Sequence, residues 1–117
     1  VGIRLTKDWH DLADLDPATV PGQLGVFQLG SDDGTVVYIG YAGGNQLFGL
    51  RSAVPEAVEA VVSAGLERPS RFRYELTHGY LTRWEELMML HVHDTGGPPA
   101  GNGALDVPKG RLSPGIG

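Results

Sequence analysis

The chain has 117 residues, 14 acidic and 9 basic side chains for a formal net charge of −5, and 41% apolar against 20% charged residues. Such a chain suits one compact domain with its own core and is too apolar to be wholly disordered. The absence of cysteine excludes disulfides, thiolate metal sites and cysteine nucleophiles and fits a cytoplasmic protein, while the acidic balance weighs against a dedicated nucleic-acid binder.

The longest apolar stretches, Val36 to Ile39 and Ala57 to Leu66, are far shorter than the roughly 20 residues of a membrane helix, so no membrane association is expected. No signal-peptide pattern opens the chain, and a start at Val1 rather than Met is compatible with an upstream or processed segment. Asp8, Asp11, Asp14 and Asp16, interleaved with Trp9, Leu12 and Leu15 after a candidate N-cap at Thr6, predict a short helix ending before Pro17 within an N-terminal segment of 1–24. The Asp run reads as its solvated face.

Gly25 to Gly30 and Thr35 to Gly40 read as two strands joined through Asp33-Gly34, because glycine tolerates the positive φ of a tight hairpin turn. After a loop from Tyr41 to Gln46, the apolar residues Leu47, Leu50, Val54, Val58, Val61 and Val62 predict a helix near 47–64 that stops at Gly65. Pro55 either kinks this helix or begins a second one, with Ser52 or a neighbour as cap. Arg71 to Thr77 alternates charged and apolar side chains and predicts a third strand, with Phe72, Tyr74 and Leu76 inward. Trp84, Leu87, Met88 and His91 predict a helix over 82–93, ended by Gly96-Gly97-Pro98-Pro99. A loosely held Gly- and Pro-rich tail is expected over 103–117. The fold class is therefore α/β, a small three-stranded mixed or antiparallel sheet flanked by helices.

Gly25-Val26-Phe27, followed by Tyr38-Ile39-Gly40, Arg51 in the next helix, Glu85 or Glu86 in a later amphipathic helix and Pro99-Ala-Gly-Asn102, resembles the GIY-YIG superfamily across residues 25–102. The resemblance implies a metal-dependent endonuclease in which Tyr38 positions or deprotonates the attacking water, Arg51 stabilises charge on the phosphoryl oxygens, and a glutamate holds Mg²⁺ or Mn²⁺. Glu86 is favoured over Glu85 because Met89 and Leu90 follow it as the apolar pair usual after the family glutamate. Tyr38 and Gly40 would share one face of the strand, with Ile39 filling core and Gly40 keeping a cleft open. Phe27 stands where the first motif normally carries a tyrosine, and phenylalanine transfers no proton. Arg51 lies later after Gly40 than is common, and the basic residues Arg68, Arg71, Arg73 and Arg83 are diluted by Glu67 and Glu75.

Two readings of the resemblance follow. One is a nuclease or nuclease-derived domain acting on nucleic acid. The other is a catalytically silent GIY-YIG-like domain serving as an accessory subunit that binds a protein partner, with the tail after Asn102 ordering against it. Asn102 itself reads as fixing the closing turn. His91 and His93, about 200° apart around a helix, make a poor metal pair, and His91 reads as a core-edge residue. No Glu-x-x-His pair, Walker-type loop or Gly-x-Ser-x-Gly elbow is present.

Overall fold

The computed structural model describes residues 4–15, 20–43 and 48–106. Over these the chain runs β1 (His10–Asp11), one 3₁₀ turn (Leu12–Asp14), β2 (Gly25–Gly30), β3 (Val36–Ala42), α1 (Leu50–Ser63), β4 (Arg71–Leu76), α2 (Tyr80–Thr95) and α3 (Ala100–Asp106). The strands form one antiparallel sheet in the order β1-β4-β2-β3. The expected three strands are present, with a fourth added at the edge. β2 lies at the centre and is buried along its whole length, which is why it reads as nearly continuous apolar sequence rather than as an alternating strand.

The hairpin turns through Ser31 to Thr35, with Gly34 at φ 87°. The Asp33 carboxylate accepts from Ser31 Oγ at 2.6 Å and from the Thr35 amide at 2.9 Å, closing the turn through a side chain. The loop is longer than the two-residue type, and the pairing shifts register between Leu29 and Gly30.

Helix α1 is continuous through Pro55. Proline there forfeits a single backbone bond, the one to the Arg51 carbonyl, and burial of Val54, Ala57, Val58 and Val61 holds the helix together. Its cap is not Ser52: the N-cap is Gly49, at φ 55° and so close to the Gln23 backbone that a Cβ would collide with it. Leu50 donates to the Gln23 carbonyl at 2.9 Å, and Ser52 Oγ points back to the Gly49 carbonyl. Gly65, at φ 93°, ends the helix where the sequence predicts.

Two expectations are corrected. The N-terminal segment forms no helix from Thr6; it pairs with β4, His10 opposite Phe72 and Asp11 opposite Arg71, and Leu12 donates to the Ser70 carbonyl at 2.9 Å. Tertiary partners override the helical spacing: the Trp9 ring covers Gly30 and lies 4.2 Å beneath the Arg73 guanidinium. The expected helix end at Asp16 and Pro17 lies outside the described residues. Second, Asn102 sits within α3 rather than in a closing turn, and helix continues to Asp106, into the expected tail, while 107–117 are outside the described residues.

The sheet carries a core on each face. Phe27, Leu29, Ala42 and Phe72 pack with α1 on one side, and Val26, Ile39 and Leu5 pack with Leu87 of α2 on the other. Neighbouring residues of one strand thus serve opposite helices, as strand alternation requires.

Candidate functional site

Tyr38 and Phe27 meet on the α1 side of the sheet, their ring centroids 6.1 Å apart. Gly40, directly opposite Phe27 in the ladder, lies beneath both. A Cβ at Gly40 would come within 2.5 Å of Phe27 Cζ and 2.7 Å of Tyr38 Cε2. The space above Gly40 is therefore filled by two aromatic rings, which corrects the expectation that this glycine keeps a cleft open. Phe27 is a core residue, 2% exposed.

Arg51 projects from the first turn of α1, exposed, with Nε donating to the Val20 carbonyl at 3.2 Å. Among the described residues no carboxylate pairs with it. Tyr38 occupies the same side of the sheet but starts near the other end of α1. A Cβ at Gly101 would lie 3.2 Å from both Tyr38 Cβ and Val61 Cγ2, and Val61 is about 15 Å along the helix axis from Arg51.

Glu86 lies elsewhere. It is on α2, which covers the opposite face, and its Oε1 accepts from Arg83 Nη1. Arg83 also grips Glu75 with both prongs, Nε to Oε2 at 2.9 Å and Nη2 to Oε1 at 3.1 Å, while its own side chain is only 12% exposed. One half-buried guanidinium thus holds two carboxylates. Glu85 is exposed on the outer side of α2, where it and Glu86 line an open depression with Met89 and His93. The α2 side chain that reaches the second motif is Trp84, whose indole Nε1 donates to the Ile39 carbonyl at 2.8 Å.

Asn102 reaches the same peptide. Its Oδ1 accepts from the Ile39 amide at 2.8 Å and its Nδ2 donates to the Ile39 carbonyl at 2.9 Å, both buried. The carboxamide makes the two bonds that a further strand would make, which fixes its orientation and satisfies the middle of an edge strand.

A family model matches residues 3–94, most of the chain. The chain belongs to that family, a domain of unknown function (DUF7508). A comparison with the curated proteins gave no match. The region matched by the DUF7508 model runs from β1 to near the end of α2 and includes Tyr38, Arg51 and Glu86, while Asn102 lies beyond it.

The DUF7508 domain also brings together residues that motif reading passed over. Gln28 of β2 is 5% exposed, and its Oε1 accepts from Arg73 Nε at 2.8 Å, directly across the ladder. Arg73 Nη1 donates to the Lys7 carbonyl at 3.3 Å, and burial lowers the Arg73 pKa. Arg4 forks onto Asp94, Nε to Oδ2 at 2.9 Å and Nη2 to Oδ1 at 2.6 Å, and holds that carboxyl down at about 2. Burial lowers the pKa of His91, against a raising contribution from Asp94. The signal for this group is a glutamine inside an otherwise apolar strand: a polar side chain at a position facing core must find partners there. Among the described residues no group of three or more histidine and carboxylate side chains is placed to hold a metal ion.

Proposed function

We propose that this chain is a catalytically silent GIY-YIG-like domain that acts by binding a protein partner. The observation that carries this reading is the position of Glu86, on the far side of the sheet from Tyr38 and Arg51 and engaged by Arg83. General base, phosphoryl clamp and metal ligand must converge within a few ångströms of one phosphorus for hydrolysis. Here an intact sheet lies between them. The donor set at Glu86 does not fit Mg²⁺ or Mn²⁺ either, because its carboxylate already faces a guanidinium whose charge repels a cation at that distance.

A binding role draws support from the end of the sheet where β2 begins. Tyr41, Leu76 and Leu81, where β3 and β4 finish and α2 starts, are all more than a third exposed, as is Phe48 just before α1. Apolar side chains gathered at one end of a small domain suit a protein interface.

The nuclease reading retains one favourable observation, that Arg51 has no carboxylate partner among the described residues and shares a side with Tyr38. Incubation with single-stranded, branched and duplex DNA plus Mn²⁺ separates the two. The expected result is no cleavage by the wild type, by Arg51→Ala, by Glu86→Gln, or by Phe27→Tyr, which restores the missing phenol. Cleavage by the wild type that both Arg51→Ala and Glu86→Gln abolish would overturn the silent reading.

A further inference from the structure

A second feature lies on the α2 side of the sheet, away from Tyr38 and Arg51. Between the N-terminal segment, the C-terminal half of α2 and the sheet is a cavity of about 200 Å³, lined by Gln28, Arg73, His91, Arg4, Asp94 and apolar neighbours such as Leu90. Its floor is Gln28. Because Arg73 Nε donates to Gln28 Oε1, the orientation of the carboxamide is set, and its Nε2 has no partner among the described residues. A buried NH₂ without an acceptor is costly, so the site calls for a group that supplies one. Beside it, Arg73 is bonded to the Gln28 and Lys7 oxygens and stacked on Trp9, and no carboxylate neutralises it among the described residues.

We infer that this cavity is a binding site for a small carboxylate, held by Gln28 Nε2 and the Arg73 guanidinium. The lining carries two arginine charges against the single carboxylate of Asp94, which Arg4 already occupies through both oxygens. The one uncompensated positive charge matches a monoanion and undercompensates a phosphate dianion. The pocket is smaller than the roughly 300 to 1,000 Å³ typical of drug-sized ligands, so the ligand is a few heavy atoms across. Arg4 and Thr6 are exposed and form the rim through which it enters. Guanidinium and amide donors on adjacent strands give a planar acceptor two anchoring points.

The site is independent of the silent reading above, since it uses none of Tyr38, Arg51 and Glu86. The test titrates the full chain with sodium acetate against sodium chloride at constant ionic strength, following the side-chain N–H signals of Gln28 and Arg73 by NMR. Saturable shifts with acetate, absent with chloride and at least tenfold weaker with inorganic phosphate, are expected. Gln28→Glu keeps the acceptor for Arg73 Nε and removes the free donor, so acetate binding falls at least tenfold, as read on the Arg73 signal. Leu90→Phe narrows the cavity from α2 without touching either anchor and has the same effect, which guards against misfolding in the first variant. Overturning results are no saturable shift, an equal response to chloride, phosphate binding as tight as acetate, or acetate binding unchanged in both variants.

Discussion

Asn102 does for one peptide what a neighbouring strand does for many. Replacing it with alanine leaves the buried Ile39 amide without an acceptor and takes one of two donors from its carbonyl, so Asn102→Ala should destabilise the domain by about 2 to 4 kcal/mol in urea unfolding. Gly40→Ala forces a methyl into the Phe27 and Tyr38 rings and should cost about 1 to 3 kcal/mol, with a changed aromatic circular dichroism signal. Two carboxyls predict the acid behaviour. Asp33 is held at about 2 first by the Ser31 hydroxyl and then by the Thr35 amide, and Asp94 at about 2 by Arg4, both below the ordinary 3.8. A depressed folded pKa favours folding above the unfolded value and loses that benefit as pH falls towards the folded one. These two groups therefore contribute above pH 3.8 and cease to between that value and about 2. Carboxyl titration by NMR should place both midpoints near 2, and Arg4→Ala should return Asp94 alone towards 3.8.

At the scale of elements, the sequence revealed whatever rests on local chemistry. Asp33-Gly34 forms its turn, Gly65 and Gly96 end their helices in the left-handed region, and the alternation of Arg71 to Leu76 forms a strand. The misses share a cause in tertiary contact. Trp9, Leu12 and Leu15 have helical spacing, but Gly30 offers Trp9 a bare surface and β4 offers an unpaired edge, so the segment extends and pairs. The residues from Ala100 carry little helical periodicity, and α3 forms because Gly101 permits contact with the Val37 carbonyl while Asn102 is drawn to Ile39. A Cβ at Gly96 meets nothing within 4 Å, so Gly96→Ala isolates conformational strain and should destabilise by about 1 kcal/mol in the same assay.

At the scale of the molecule, what the sequence could not disclose is which side of the sheet each helix covers. Helical phase selects Glu86 over Glu85 but says nothing of whether α2 shares a face with Tyr38; the alternation of Val26 with Phe27 and of Tyr38 with Ile39 decides that only once the helices have docked. The same blindness hid the Gln28 cavity, built from five segments distant in sequence. Truncation before Pro99 should uncover the β3 edge and give concentration-dependent association by size exclusion, because an unpaired strand edge is a template for further pairing. The doubly bonded Ile39 peptide also bears on time. Edge strands usually open by local fraying, and their amides exchange with solvent accordingly. Asn102 of α3 accepts from the Ile39 amide, while Asn102 and Trp84 of α2 both donate to the Ile39 carbonyl, so this amide can exchange only when α3 lets go. An atom at the rim of the sheet becomes a clock for the release of α3.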